Sequence, residues 1–337
     1  MSTMTETLQP PVSVPPLDVL TVGEAMALFA ARTTGPLKDV EHFSRAVAGA
    51  ELNVAIGLSR LGLRVGYVSR VGNDMLGEYL LSAMAHEGVD RRYVQVDPLH
   101  PTGLMFKSLE ESGKDPRTQY FRKGSAASHM GLEDMPIDAF QTVRQLHITG
   151  ISAALSGSMR ELVQHMVRQA RAAGVSVSFD PNLRPQLWES EAVMVSTLNM
   201  LASQCDLVMP GLAEGRLLTG FDKPQDIASF YLGQGARQVV VKLGPPGAYF
   251  ADHAERGTVS GFQVRQVVDT VGAGDGFAVG VLSALLDGLN LQDAALRGNA
   301  IGARVVQYPG DNDGLPTRPE LALALRAPRA VDMSFLH

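Results

Sequence analysis

The sequence predicts an α/β protein in which helices flank a doubly wound, mostly parallel β-sheet that carries a small β-sheet lid. Two observations predict the main layer. From residue 18 onward, short apolar runs alternate with amphipathic segments, and the apolar runs are nearly continuous in hydrophobicity. Strands covered by helices on both faces have this composition, and a βαβα order makes neighbouring strands parallel. Two stretches that break the alternation predict the lid.

The predicted strands of the main sheet are short and rich in β-branched residues, as expected for strands that are buried on both faces. In chain order they read DVLTVG at 18–23, RVGYVSRVG at 64–72, LHITG at 146–150, VSVSFDPN at 175–182, DLVMPG at 206–211 and QVVVKLG at 238–244. We expect them to pair side by side in one sheet.

Amphipathic segments between these strands predict the helices that cover the sheet. They read ELNVAIGLSRLG at 51–62, DMLGEYLLSAMAHEG at 74–88 and SMRELVQHMVRQARAAG at 158–174. Because strands and helices follow one another in this order, the sheet is expected to be doubly wound. No repeat or low-complexity tract interrupts the order.

The two stretches that break the rhythm are residues 25–48 and about 95–125. Both alternate apolar and polar residues without helical periodicity, as in TGLMFKSLE at 102–110 and RTQYFRKG at 117–124. This pattern predicts strands exposed on one face. A small sheet that projects from the main domain would accommodate them, and such a lid could close over a site.

Composition limits the kinds of partner that the chain can have. The 337 residues are 45% hydrophobic and 19% charged, with a net charge of −6 and no Lys or Arg cluster, which argues against nucleic acid. No apolar run is long enough to cross a bilayer, so we expect no membrane association. Cys205 is the one cysteine, consistent with a cytoplasmic protein. Residues 1–17 are proline-rich at their end and predicted to be a disordered lead-in.

Residues 268–288 read VDTVGAGDGFAVGVLSALLDG, a glycine-rich turn that runs into an apolar helix. The first amides of a helix have no partner within it, and the helix dipole lies behind them, so such a turn binds anions. The small residues at 272–274 would let an anion approach the backbone closely. Apolar residues recur every four positions from Phe277 to Leu285, which predicts one buried helix face and a rigid turn.

Asp275 lies at the mouth of this helix, beside the predicted anion pocket. A carboxylate there repels phosphate, unless the anion is a phosphoryl group in transit. In that case Asp275 can accept the proton of the attacking hydroxyl while the amides of Gly272, Ala273 and Gly274 stabilise the developing charge. The stretch alone leaves open a plain Asp N-cap after a flexible turn. Its spacing matches neither GxGxxG nor the Walker loop.

The stretch DTVGAGDGF resembles the C-terminal signature of the ribokinase-like (PfkB) sugar kinases. Other stretches resemble further motifs of that family in the same order: AGAELNVAIGLSRLG its GG-x-x-x-N-x-A segment, VGYVSRVGNDMLG its G-x-D-x-x-G stretch and VKLGPPGAYF its K-x-G-x-x-G nucleotide strand. The resemblance covers residues 18–325 and implies a ribokinase-like kinase domain with a β-lid, followed by a C-terminal tail at 326–337. Ala48 departs from the pattern by replacing the first Gly of the GG pair.

Two stretches resemble the subgroup of this family that phosphorylates 2-keto-3-deoxygluconate: QYFRKGSAAS at 119–128 and FDPNLRPQLW at 179–188. The resemblance implies that aromatic and Arg residues hold the sugar acid and that the segment at 49–53 lies under it. A substrate with a carboxylate favours guanidinium partners, which bind it bidentately. The implied substrate residues, besides Asp275, are Gly49, Ala50, Glu51, Leu52, Asn53, Tyr120, Phe121, Arg122 and Arg184.

Purely structural roles, without contact to a substrate, also remain open for several of these residues. Arg122 and Lys123 also fit an ordinary solvated strand edge, and Asn53 also fits a residue that caps or braces a helix start. The D-P-N-x-R pattern ending at Arg184 occurs in fructokinases of the same superfamily too, so it separates the subgroups poorly.

The resemblance also implies ATP as the phosphoryl donor, with Mg²⁺, and it leaves a monovalent cation possible. The family pattern N-x-x-E organises magnesium, and here Gly211 replaces the Asn while Glu214 is kept, so only Glu214 is expected near the metal. The implied nucleotide residues are Asn182, Arg184, Lys242, Gly244, Gly247, Gly272, Ala273, Gly274 and Asn299.

The sequence therefore predicts an ATP-dependent kinase that phosphorylates 2-keto-3-deoxygluconate on its 6-hydroxyl. A fructokinase or another ketose kinase of the same superfamily is the alternative enzyme. A non-catalytic sugar or nucleotide sensor on the same fold is the alternative from another class, although the intact GAGD turn argues against it. An exposed, half-apolar β-sheet lid tends to associate with another chain unless its edge and apolar face are covered. We therefore also expect a homodimer or a higher homo-oligomer.

Overall fold

The computed structural model describes residues 16–110 and 116–330. Residues 1–15 of the predicted lead-in, 111–115 of the predicted lid and 331–337 of the predicted tail lie outside the described residues. The described part of the tail packs on the domain, where the Ala330 amide donates to the Gly261 carbonyl at 2.9 Å. Within the described residues, no helix has the length and apolarity that a membrane span needs.

Strands of the described chain fall into two sheets. In chain order they are β1 (Val19–Val22), β2 (Met26–Thr34), β3 (Phe43–Ala48), β4 (Val65–Gly72), β5 (Asp90–Asp97), β6 (Leu104–Leu109), β7 (Thr118–Phe121), β8 (Gln145–Thr149), β9 (Ser176–Asp180), β10 (Leu207–Val208), β11 (Gln238–Gly244), β12 (Gly247–Asp252) and β13 (Arg256–Ser260).

The large sheet has nine strands in the order β13-β12-β11-β10-β9-β8-β1-β4-β5. Neighbours are parallel from β11 to β5, and β12 and β13 add an antiparallel edge. Strand order reverses at β1, which pairs with β4 on one side and β8 on the other. In open α/β sheets such a reversal opens a crevice at the carboxyl ends of the strands, where ligands bind.

The small sheet has the order β3-β2-β6-β7. Strands β2 and β3 are antiparallel, β2 and β6 are parallel, and β6 and β7 are antiparallel. Its inner face buries Met26, Leu28, Ala48 and Met105. The second half of this sheet begins at Leu104, because the residues up to Asp97 pair with β4 in the large sheet.

Helices cover both faces of the large sheet. They are α1 (Ala50–Arg60), α2 (Met75–His86), α3 (Gly150–Leu155), α4 (Gly157–Ala172), α5 (Glu191–Ala202), α6 (Leu212–Thr219), α7 (Pro224–Gly233), α8 (Ala273–Leu286), α9 (Leu291–Val305) and α10 (Arg318–Ala324). The helices α3–α7 pack into one apolar layer around Leu162 and Leu198, and α1, α2 and α8–α10 pack into the other around Ile56 and Val281.

The predicted fold class is confirmed, and the bounds of each predicted strand and helix of the main layer lie within three residues of those observed. Two stretches differ from their predicted form. Residues 95–97, predicted as the start of the lid, belong to β5 of the large sheet. VKLGPPGAYF at 241–250 is a β-hairpin rather than a single strand, with Lys242 opposite Ala248 and Gly244 opposite Gly247. Proline has no N–H to donate, so Pro245 and Pro246 cannot continue a strand and form the turn instead.

Candidate active site

A cavity of about 260 Å³ lies between the carboxyl ends of the parallel strands and the small sheet. Met26 and Met105 of the small sheet line it on one side, and the glycine-rich turn lines it on the other. Predicted site residues make up most of its wall: Gly49, Ala50, Asn53, Tyr120, Arg122, Asn182, Arg184, Glu214, Lys242, Gly272, Gly274 and Asp275.

Asn53 reaches Asp275 from the first turns of α1. Gly49 caps this helix with φ +140°, and a Cβ at that position would lie 2.4 Å from the Glu24 carbonyl oxygen, so the helix can begin here only with glycine. Asn53 Nδ2 donates to Asp275 Oδ2 at 2.8 Å, and Asn53 is buried. Asn53 therefore does more than brace a helix start, because its side-chain amide donates to the Asp275 carboxylate.

Asp275 is the third residue of α8 and does not cap it. The N-cap is Gly272, at φ +82°, with its Cα so close to Asp311 that a Cβ would lie 2.2 Å from the Asp311 carbonyl oxygen. The Asp275 side chain turns into the cavity instead, where Asn53 Nδ2 and, at 3.5 Å, Asn182 Nδ2 donate to it. The N-cap interpretation of Asp275 is thus excluded by geometry.

The surroundings of Asp275 suit a base that works near neutral pH. Burial, together with the charges of Asp180, Asp311 and Glu51, raises the pKa of Asp275 to about 7 against the lowering effect of the bond from Asn53. A general base is most effective when its pKa lies near the working pH. Strongly perturbed carboxyl groups in clefts are candidates for catalysis, and Asp275 meets both conditions.

Lys242 places a positive charge in the cavity wall, next to Asp180. Its Nζ lies 2.8 Å from Asp180 Oδ1 and 2.6 Å from Asp180 Oδ2, and both side chains are largely buried. Burial opposes the ammonium charge, but the carboxylates of Asp180, Glu214 and Asp275 outweigh it, so the pKa of Lys242 is raised. Lys242 thus stays an ammonium, a charge suited to phosphate oxygens.

Arg122 enters the cavity from the end of the small sheet. Its Nε and Nη2 both lie 2.6 Å from Glu24 Oε2, and its guanidinium lies 5.6 Å from the centre of the Tyr120 ring. The Arg122 side chain is only 10% exposed, whereas Lys123 is exposed. The solvated-edge interpretation therefore holds for Lys123 and is wrong for Arg122. Arg184 also lines the cavity and donates from Nη1 to the Leu183 carbonyl at 2.7 Å.

A second cavity, of about 350 Å³, adjoins the first. Lys242, Thr270 and Gly274 line both cavities. The second wall is largely apolar, and its predicted members are Lys242, Gly244, Gly247, Ala273, Gly274 and Asn299. Asn299 Nδ2 donates to the carbonyl oxygens of Val259 and Ser260, which fixes the side chain at the rim of β13. A flat apolar group joined to phosphates fits this shape.

Comparison with known proteins decides the family. The model of the pfkB family carbohydrate kinases matches residues 17–318. The chain belongs to this family.

A 2-dehydro-3-deoxygluconokinase of Bacillus subtilis is 52% identical over 94% of this chain and 97% of its own length. Among solved structures, a PfkB protein from Polaromonas sp. is similar, with a TM-score of 0.84, 51% identity, and coverage of 91% of this chain and 99% of that chain. A protein of Escherichia coli designated ribokinase II, in complex with ATP and Mg²⁺, has a TM-score of 0.85 at 28% identity, with 92% and 99% covered.

Three predicted sugar-site residues of this carbohydrate kinase lie outside the cavity wall. Leu52 is fully buried in the apolar layer of α1, and Phe121 is half exposed because it alternates with Tyr120 along β7. Glu51 is buried behind the wall, where Thr149 Oγ1 donates to Glu51 Oε1 at 2.6 Å and Ser152 Oγ donates to the same oxygen. Glu51 acts on the site through its charge, which raises the pKa of Asp275.

Glu214 is held as the third residue of α6. Its Oε1 accepts from the Leu183 amide at 2.8 Å, and its Oε2 accepts from the Gly211 amide at 2.6 Å, so Glu214 satisfies the N-cap amide although Gly211, which replaces the usual Asn, has no side chain to complete a capping box. No group of three or more His, Cys, Asp or Glu side chains within residues 16–110 and 116–330 could hold a metal by itself. Mg²⁺ usually needs only one or two carboxylates beside substrate phosphates, and Glu214 and Asp180 supply that number.

Sequence reasoning missed three carboxylates of the site, Asp311 in the cavity wall and the acidic partners of Lys242 and Arg122, which are Asp180 and Glu24. Asp180 lies at the carboxyl end of β9, and Glu24 follows β1 by two residues. Both positions carry a signal, because ligand-binding side chains of α/β sheets follow the carboxyl ends of parallel strands. The sequence does not show which residues these carboxylates pair with, because Lys242 and Arg122 lie far from them along the chain.

Proposed function

We propose that the protein is an ATP-dependent kinase that phosphorylates 2-keto-3-deoxy-D-gluconate on its 6-hydroxyl, giving 2-keto-3-deoxy-6-phosphogluconate. The wall common to the two cavities carries the proposal. Lys242 and Gly274 line both, and Asp275 faces the first. A hydroxyl in the first cavity and a phosphate chain from the second would thus meet beside Asp275. The 52% identity to the Bacillus subtilis 2-dehydro-3-deoxygluconokinase supports the choice of sugar acid.

Asp275 is the proposed base. The 6-hydroxyl oxygen forms a bond to the γ-phosphorus of ATP while the bond from that phosphorus to the β,γ-bridging oxygen breaks, and ADP leaves. The hydroxyl proton passes to Asp275, whose carboxylate Asn53 orients at 2.8 Å. In-line transfer needs little more of the protein than positioning and charge stabilisation.

The start of α8 supplies donors for the transferred phosphoryl group. Its first turn follows a left-handed Gly272 without a side-chain cap, so amides at the positive end of the helix dipole face the cavity wall. The Ala273 amide already donates to the Thr270 carbonyl at 3.3 Å. Gly272, Gly274 and Asp275 are therefore the better amide donors, with the Lys242 ammonium beside them.

The carboxylate of the sugar acid is proposed to lie between Arg122 and Arg184. Both guanidinium groups line the first cavity together with Tyr120. Glu24 engages Nε and Nη2 of Arg122 through a single oxygen, which fixes the guanidinium plane and leaves its Nη1 edge for a ligand. A neutral ketose offers no anion to this pair, so the pair favours an acid.

Mg²⁺ bound with ATP would neutralise phosphate charge in the transition state. Glu214 and Asp180 are the cavity carboxylates placed to hold it through water or phosphate oxygens. Both already have protein partners, the Leu183 and Gly211 amides for Glu214 and Lys242 for Asp180. This chain's own residues therefore set the orientation of those oxygens before a metal arrives.

A substrate panel tests the proposed function. We expect kcat/KM for 2-keto-3-deoxygluconate to exceed that for fructose and for gluconate, with ATP as donor and a coupled ADP assay as the readout. A preference for fructose would replace the proposal with the fructokinase alternative. If ADP forms with no sugar of the panel while ATP and a sugar acid still bind by calorimetry, the sensor alternative takes its place.

We further propose that the protein works as a homodimer joined through the small sheets. Phe106 stacks on Phe29 with ring centres 5.3 Å apart and meets Phe43 and Phe121 edge-on at 5.2 and 5.9 Å. These rings lie on the face opposite Met105, so they point away from the cavity. An exposed apolar face on a short sheet is stabilised when a second copy covers it.

Light scattering at micromolar concentration should show a dimer or an assembly of dimers. Phe121→Asp, at a site that is 52% exposed and so costs little in folding, should shift the mass toward the monomer. The matched control is Leu323→Asp on α10, which is 66% exposed and should leave the mass unchanged. A monomeric wild type, or a dimer that Phe121→Asp leaves intact, would contradict the proposed interface.

A cytoplasmic location is proposed as well. The chain has one cysteine, so it needs no oxidising compartment to form disulfides. Cys205 is fully buried, and burial raises the pKa of its thiol, which keeps it inert.

A further inference from the structure

Lys107 is a buried lysine that the proposed mechanism does not use. It lies on β6 of the small sheet with a side chain that is only 2% exposed. Its Nζ lies 2.6 Å from Asp269 Oδ2, 2.5 Å from Asp311 Oδ1 and 3.3 Å from the Pro309 carbonyl oxygen. An ammonium has three donors, and these three oxygens take all of them.

Both carboxylates belong to the loops that build the anion-binding turn. Asp269 opens the turn, and its Oδ1 accepts from the Val271 amide at 3.0 Å. Asp311 presses on the turn from the other side, because its carbonyl oxygen would lie 2.2 Å from a Cβ at Gly272. Lys107 therefore holds together the two chain segments that fix the N-cap of α8.

The electrostatics of this cluster require a cation. Asp269 and Asp311 are 6% and 4% exposed, and two buried carboxylates facing the same point repel each other unless a positive charge lies between them. Burial opposes the charge of Lys107, but Asp311 and Asp269 outweigh it, so the pKa of Lys107 is raised and its ammonium is kept. The arrangement is that of an oxygen-lined cation site filled by the chain's own side chain.

We propose that Lys107 is a positioning residue for phosphoryl transfer: an internal cation that ties the small sheet to the anion-binding turn and makes turnover independent of added monovalent cations. The inference rests on the proposed kinase function. Lys107 lies on β6 two residues from Met105, which lines the cavity. The same strand therefore covers the proposed sugar site through Met105 and fixes the anion-binding turn through Lys107.

A pH profile separates positioning from mere stability. The groups that face Asp275 are Asn53 and Glu51 of α1, Asp180 and Asn182 after β9, Lys242 of β11 and Asp311 of the loop before α10. Loss of the Lys107 charge leaves Asp311 uncompensated beside this set. The pKa of Asp275 then rises, and the acid limb of kcat/KM moves to higher pH.

The test compares Lys107→Met with wild type and with Lys123→Met, at an exposed lysine in the turn that follows β7 of the same sheet. For Lys107→Met we expect kcat to fall at least about tenfold, KM for ATP to stay within about threefold, and the acid limb to rise by about half a pH unit or more. Lys123→Met should match wild type in all three. A folded Lys107→Met enzyme with the kcat and acid limb of wild type would overturn the proposal.

Wild type alone provides a second test that no folding defect can obscure. Its turnover should agree within about twofold in potassium chloride and in tetramethylammonium chloride of equal ionic strength. Stimulation by K⁺ of about fivefold or more would show that the turn needs an external cation and would overturn the proposal. Failure of the kinase function itself appears differently, as a wild type that phosphorylates no sugar in either salt.

Discussion

Asp275→Asn is expected to lower turnover by roughly two orders of magnitude or more while substrate binding is largely kept. The amide has the size of the carboxylate, and its oxygen can still accept the bond that Asn53 Nδ2 donates at 2.8 Å. It cannot accept the proton of the attacking hydroxyl. Steady-state kcat and KM for sugar acid and ATP measure the effect, and calorimetry measures sugar binding directly.

Asp293→Asn is the matched control. Asp293 is also the third residue of its helix, α9, but it is exposed and lines neither cavity, so its loss should leave kcat unchanged. A folded Asp275→Asn enzyme with near-normal turnover would refute the assignment of the base.

The same substitution should stabilise the protein at high pH. Burial raises the pKa of Asp275 from 3.8 to about 7, so the folded state binds a proton that the unfolded state has lost between these values. The free energy of unfolding therefore falls as pH rises through this window. Asp275→Asn removes that loss and should gain roughly 1–4 kcal/mol at pH 8 by chemical denaturation, and close to nothing at pH 3. Higher stability with lower activity separates a lost base from a misfolded enzyme.

The sequence predicts the fold well because the hydrophobic pattern decides it locally. Each parallel strand is an apolar run, and the helices between them carry one apolar face, so the covered sheet follows from residues 18–305 without knowledge of partners. The predicted strand 238–244 ends where β11 ends, whereas the motif resemblance at 241–250 describes a single strand and misses the hairpin that the two prolines make necessary. Local chemistry was the better guide there.

The site is less predictable because its charges act over long sequence distances. Asp275 stands out from its own turn, yet its pKa depends on Asp180, Asp311 and Glu51, which no local pattern connects to it. Likewise nothing near Lys107 in the chain indicates two buried carboxylates 162 and 204 residues away. Motifs therefore locate the residues that contact ligands, and only the structure shows the groups that neutralise and orient them.

Glu24 shows how a charged group that is distant in the sequence affects the part of the site where the sugar acid is proposed to bind. Arg122 matches a motif, but the buried Glu24 carboxylate, whose Oε1 accepts from Ser125 and whose Oε2 accepts from Arg122, fixes the guanidinium. An arginine held in this way loses less conformational entropy when it binds an anion. The pair also carries no net charge, so Glu24 offsets part of the attraction between Arg122 and the acid, and Arg184 has to contribute the attraction that remains.

Arg122→Ala tests this arrangement through substrate preference. If Arg122 and Arg184 clamp the carboxylate, truncation of either should cost about 2–5 kcal/mol of binding to the acid, because a desolvated charge is left without its partner. A neutral ketose of similar shape should lose far less. The quantity to measure is kcat/KM for 2-keto-3-deoxygluconate divided by that for fructose, in wild type and in each variant.

The position of Glu24 makes Arg122 the sharper probe of the two. Arg122→Ala leaves Glu24 buried and uncompensated beside the acid, so the new repulsion adds to the lost attraction, whereas Glu24→Gln combined with Arg122→Ala should recover part of the preference. Arg184 lies nearer the strand ends, and if it also contacts ATP phosphates, its loss weakens both substrates alike. Lys123→Ala, exposed on the same strand end, should change nothing. A preference that Arg122→Ala leaves unchanged would remove the reason for choosing a sugar acid over fructose.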